Sequence, residues 1–161
     1  MSHLSKKSLF FAAWLALPLM ADAATTNSTM AVSATVASSC VVSTSPVAFG
    51  TYNPQLCSTL DGLGAVAVTC TKDTTYTVSL DGGGQADVAA RAMLSGGNQL
   101  PYQLYSDASY SVVWGTAVGQ TVAGTGSGTQ QNLSVYGRIP ASQNVPAGSY
   151  TDTINVTVTY N

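Results

Sequence analysis

Residues 66–84 read Val-Ala-Val-Thr-Cys-Thr-Lys-Asp-Thr-Thr-Tyr-Thr-Val-Ser-Leu-Asp-Gly-Gly-Gly. Val66, Val68 and Cys70 alternate with Ala67 and Thr69; Tyr76, Val78 and Leu80 alternate with Thr77 and Ser79. Successive side chains of a strand point to opposite faces of a sheet, so a period of two in β-branched and aromatic residues predicts half-buried strands. The Gly run after Leu80 has turn chemistry and reads as a hairpin turn.

Working outward, the same period recurs at Leu133, Val135, Gly137 and Ile139, and at Ile154, Val156, Val158 and Tyr160. It recurs early in the chain at Met30, Val32, Ala34 and Val36. Helical periodicity is nearly absent. Asp61-Gly62, Gly96-Gly97-Asn98 and Gly124 to Gly128 read as turns or loops, and Pro146-Ala147-Gly148 precedes the last patterned segment. Short strands joined by such breaks predict an all-β, antiparallel sandwich.

The first 23 residues form a different class of segment. Lys6 and Lys7 precede the apolar run Ser8–Met20, and Ala21-Asp22-Ala23 places small residues at −3 and −1 of a cleavage site. That order predicts a secretory signal peptide over 1–23. The run is shorter than the roughly 20 apolar residues a bilayer span needs, and no later stretch is long enough, so no membrane span is expected.

Charge is scarce. Beyond residue 23, Lys72, Arg91 and Arg138 stand against Asp61, Asp73, Asp81, Asp87, Asp107 and Asp152, a net charge of −3 with no Glu. This is no nucleic-acid surface. Little repulsion separates copies of such a chain.

Catalytic constellations are lacking. The single histidine, His3, lies in the signal segment, which removes the commonest general base and metal ligand from the rest. The aspartates sit mostly in turn contexts, without the oxygen spacing of a calcium loop. The glycine run at 82–84 lacks the Lys-Ser/Thr of a phosphate loop. No enzyme, cofactor or metal site is expected. Three cysteines, Cys40, Cys57 and Cys70, allow one disulfide and one spare thiol in an exported protein, and composition does not choose the pair.

Several stretches in order resemble the spore coat U domain family, and within it the subunits of archaic chaperone–usher pili. They are Ser39-Cys40-Val41-Val42 followed by Phe49-Gly50-Thr51-Tyr52-Asn53-Pro54; Val66 to Thr71 and Tyr76 to Gly83; Leu100-Pro101-Tyr102-Gln103-Leu104-Tyr105-Ser106-Asp107 with Val113-Trp114-Gly115; Tyr136-Gly137-Arg138-Ile139-Pro140; and Gly148 through Val158. The resemblance covers essentially all of the chain after residue 23.

The resemblance implies an incomplete immunoglobulin-like sandwich, completed by a donor strand from another subunit. It divides the chain into a signal peptide (1–23), an N-terminal donor extension (24–36) and the pilin domain (37–161). It makes Met30, Val32, Ala34 and Val36 the donor face, although the alternation alone fits a first strand of the chain's own domain. It makes Ile154, Val156, Val158 and Tyr160 the inward face of a last strand that lines the acceptor groove and ends the chain; an ordinary terminal strand is the alternative. It pairs Cys40 with Cys70 and leaves Cys57 as a free thiol, an intersubunit link or a competitor for Cys70. It implies a periplasmic chaperone, an outer-membrane usher and further copies of the chain as partners, and a surface fibre serving adhesion and biofilm formation. A self-contained secreted coat, matrix or adhesive module of the same fold is the competing expectation.

Overall fold

The structure is a computed structural model and describes residues 22–161; the expected signal peptide lies almost wholly outside the described residues. The chain divides into two units at Ala34 and Thr35. In the first, residues 22–34 carry no strand and are exposed, Met30 at 87% and Val32 at 90%.

The second unit is built from strands. In chain order they are β1 (Cys40–Ser45), β2 (Leu60–Cys70), β3 (Thr75–Leu80), β4 (Ala92–Ser95), β5 (Asn98–Pro101), β6 (Gln103–Tyr105), β7 (Val122–Thr125), β8 (Gln131–Ile139) and β9 (Val156–Tyr160). Short 3-10 turns at Pro54–Leu56, Gly83–Gln85 and Val88–Ala90 are the helical elements among the described residues.

One sheet has the order β1-β2-β8-β6 and the other β7-β3-β9, with β4 and β5 as a separate hairpin. Every pairing is antiparallel. The alternation at 66–80 sets this arrangement. Val66, Val68 and Cys70 from β2, and Tyr76, Val78 and Leu80 from β3, point inward and are at most 3% exposed. Val135 and Ile139 of β8, Leu100, Tyr102, Leu104 and Trp114 complete the core. Burying each large aliphatic side chain contributes roughly 1.5–3 kcal/mol. Trp114 is fully buried and satisfies its indole N–H on the Val78 carbonyl at 3.0 Å. The Val113-Trp114-Gly115 run is not a strand of its own; it reaches β6 through one bridge, Tyr105 to Val113.

Three turn or loop expectations need correction. The expected 124–128 loop begins inside β7, where Gly124 pairs with Tyr76 and Thr125 with Thr75. Asp61-Gly62 is no turn: both residues lie within β2, paired with Arg138 and Gly137 of β8. Asp61 faces outward and takes both Arg138 donors, at 2.7 and 2.9 Å, which holds its carboxyl below the ordinary range. The Asp81–Gly84 run is no hairpin turn either. β3 pairs with β7 and β9, and the run starts a crossover through two 3-10 turns to β4. A glycine pair signals a tight backbone requirement; what approaches the glycine is decided by residues distant in the chain.

Cys40 and Cys70 lie opposite each other at the end of the β1–β2 ladder and are joined, with an S–S distance of 2.00 Å. Closing 30 residues stabilises by about 3–4 kcal/mol in the chain-entropy account. Cys57 is exposed and unpaired, following the Pro54–Leu56 turn at φ +46°.

Candidate functional site

The site lies where the two sheets are left open. β1 pairs only with β2, and β9 only with β3, so each strand has one ladder edge without a partner. Such an edge is a row of unpaired N–H and C=O groups able to take another strand. Where β1 and β9 come nearest, their Cα atoms lie within 8 Å of each other. Between them an apolar cavity of about 300 Å³ reaches inward. Its wall includes Val66 of β2, Leu80 of β3, Val156 of β9, and Val47, Phe49 and Ile154 from flanking segments.

β9 presents its inward row in register with the core strand beside it. Val156 lies opposite Leu80, Val158 opposite Val78, and Tyr160 opposite Tyr76. Val156 and Val158 are half-buried; Tyr160, at the strand end, is 42% exposed. Ile154 precedes the strand and also packs on the core. Of the residues expected to line a groove, Val156, Val158 and Tyr160 share one face of β9, and Ile154 and Val156 line the cavity. Of the expected donor residues, Met30, Val32 and Ala34 fall in the first unit, and Val36 in the second is 82% exposed.

Sequence reasoning missed the polar frame that fixes the start of β9. The Asp81 carboxylate accepts from the Gly83 N–H at 3.0 Å, the Asn155 N–H at 2.9 Å and the Asn155 side-chain amide at 2.6 Å. Burial pushes the Asp81 carboxyl up, but these donors and the nearby Arg91 charge outweigh it, so it ionises below its ordinary value. Asp152 accepts from Gly84 N–H at 2.9 Å and from the Tyr102 hydroxyl at 2.7 Å. Burial and the Asp152 carboxylate raise the Tyr102 phenol well above its usual range.

Arg91 is 1% exposed, and its guanidinium donates to the carbonyls of Leu80, Asp81 and Trp114 and to the Gln103 side chain. Burial lowers its affinity for the proton, and the neighbouring Tyr102, Asp81 and Asp152 oppose that shift. A buried guanidinium with every nitrogen directed at a carbonyl or amide oxygen acts as a cross-brace between β3 and the Trp114 segment. One sequence signal was available: Arg91 is one of three cations after residue 23, and it falls in an otherwise apolar stretch.

The geometry offers unpaired backbone and apolar volume. Among the described residues no cluster of His, Cys, Asp and Glu has metal-binding geometry, and no helix is long and apolar enough to cross a membrane.

An antiparallel sandwich of a four-stranded and a three-stranded sheet is the class of fold seen in chaperone–usher pilins. The chain belongs to the Spore Coat Protein U domain family, whose model matches residues 26–157. The match takes in Met30 to Val36 and the sandwich as far as Thr157 in β9. Protein U of Myxococcus xanthus is 32% identical over 157 residues, covering 87% of this chain and 88% of that protein. A solved relative is the crystal structure of the CsuC–CsuE chaperone–tip adhesion subunit pre-assembly complex from the archaic chaperone–usher Csu pili of Acinetobacter baumannii. It matches with a TM-score of 0.57 at 28% identity, over 77% of this chain and 40% of that chain.

Proposed function

We propose that this chain is a structural subunit of a surface pilus assembled by the chaperone–usher route, with residues 24–36 of one copy completing the sandwich of the next. The observation that carries this reading is the match between the open site and the N-terminal row. The β9 side offers Ile154, Val156, Val158 and Tyr160, a span of seven residues. Met30, Val32, Ala34 and Val36 alternate over the same span, about 20 Å as a strand. Strand addition at an open edge gains main-chain hydrogen bonds, and alternate side chains enter the groove. Each buried donor side chain contributes roughly 1–3 kcal/mol.

Seating a strand between β1 and β9 requires two ladder spacings, about 9.5 Å. Where β1 and β9 come nearest, their Cα atoms lie within 8 Å, so a strand seated along that stretch spreads them there. A periplasmic chaperone would hold the groove open first, and an outer-membrane usher would organise the exchange. That route needs export, for which residues 1–23 are the signal. Adhesion and biofilm formation are the roles proposed for the fibre.

The test is Val32→Asp, which places a charge in the middle of the donor row. Chains carrying it should fold and bind the chaperone but form no polymer. Fibres assembled from Val32→Asp subunits would overturn the assignment of this face. A secreted coat or matrix domain that never polymerises is the second reading, favoured by the match to the Spore Coat Protein U domain; it predicts a monomer in every assay.

A further inference from the structure

Pro46 ends β1: the ladder runs to Ser45 opposite Ala65, and proline has no N–H to continue it. The chain then turns across the inner face of the four-stranded sheet, over a place where that sheet carries no side chains. Gly62 and Gly137 face each other across β2 and β8, and Gly64 lies two residues further along. A Cβ on Gly137 would lie 2.6 Å from Val47 and 2.7 Å from Phe49. On Gly64 it would lie 2.7 Å from Val47, and on Gly62 2.9 Å from Phe49. The three glycines are thus a cradle cut to the shape of two side chains from the Pro46–Gly50 segment.

Those two side chains stand at the inner end of the groove. Val47, Phe49 and Met93 line the 300 Å³ cavity beside β9, and the same three line a second cavity of about 580 Å³ beneath Val145–Tyr150. They form the partition between the two spaces. Without them the groove would run on under the 145–150 segment, and an incoming strand could seat at more than one depth. A strand that slips by two residues keeps its apolar face inward, so alternation alone does not fix the depth.

We infer that Val47 and Phe49, held on the Gly62–Gly64–Gly137 cradle, are the stop that limits how far a donor strand seats and so set its register. This rests on the donor-strand reading above. The stop acts through volume: it admits an end residue of the donor row up to a certain size and rejects a larger one. The ends of that row are Met30 and Val36.

The test is size complementation in the full chain, read as the heat-labile polymer ladder of assembled material. Met30→Trp and Val36→Trp are each made with Phe49 intact, with Phe49→Ala and with Val47→Ala. The expected result is that one of the two Trp variants loses the ladder when the stop is intact and regains it when the stop is truncated. The rescued position also gives the strand's direction. Val47→Ala removes only two methyl groups and serves where Phe49→Ala disturbs folding, with near-ultraviolet dichroism of buried Trp114 as the check. If neither Trp variant is rescued by either truncation while the unaltered chain polymerises, the stop is refuted and the donor-strand reading stands. If the unaltered chain forms no ladder, that reading itself fails.

Discussion

Asp81 and Asn155, 74 residues apart in the chain, are locked together by two hydrogen bonds into one carboxylate. A third backbone bond, Asp81 N–H to the Asn155 carbonyl at 3.2 Å, closes the contact. β9, whose outer edge has no ladder partner, is therefore fixed at its start by side-chain chemistry as well as by its ladder with β3. An edge strand, paired on one side alone, gains from this support, because strand ends with few contacts fray.

The carboxylate at Asp81 gives the fold a pH dependence with a definite sign. Its folded ionisation lies below the ordinary carboxylate value, so the charged form favours the folded state. Its contribution is present at neutral pH and is lost as pH falls below about 4 toward the lowered folded value. Asp61 shifts in the same direction through Arg138, though as an exposed pair it adds little. Urea unfolding followed by Trp114 fluorescence should show near-constant stability from pH 7 to 5 and a decline below about 4. Asp81→Ala should cost about 1–3 kcal/mol at pH 7 by stranding the Gly83 and Asn155 donors. It should also flatten the acid limb.

Arg91 should be among the least replaceable residues. Arg91→Ala leaves the Leu80, Asp81 and Trp114 carbonyls without their donor and opens a cavity beside Trp114. A loss of about 3 kcal/mol or more is expected. Arg91→Lys cannot span the same acceptors and should recover only part of it. Denaturant midpoints of the two variants check the order.

The Cys40–Cys70 bridge ties the open-edged β1 to the central strand β2 at one end of the ladder. Replacing both with Ser should lower stability by about 3–4 kcal/mol. It should also raise hydrogen exchange in β1 more than in β3. Equal exchange in both strands would show that β1 does not depend on the bridge.

Much of this fold was legible in the chain. The alternation at 66–80 and 133–139 appears as β2, β3 and β8, because a period of two is a local property that survives in any sheet. Gly96-Gly97 joins β4 to β5 as a turn. Gly62 misled because glycine marks both turns and places where another backbone or side chain comes close, and the partner here, Phe49, is thirteen positions away. Val47 and Phe49, bracketed by Pro46 and Gly50, show no period and gave no sign that they seat on three glycines. Arg91 was readable only as a charge; its acceptors, the Leu80, Asp81 and Trp114 carbonyls and the Gln103 side chain, lie ten or more residues away in the chain. Open edges at β1 and β9 follow from strand order, which alternation does not encode.

The most direct measurement of the central claim is gel electrophoresis of sheared surface material in detergent, with and without boiling, and with and without reductant. Non-covalent strand exchange between subunits predicts a ladder of multimers that survives unheated with reductant present and collapses to monomer on boiling. A single monomer band in every lane would contradict a polymer. A ladder abolished by reductant alone would place the link at the exposed Cys57 and contradict strand exchange.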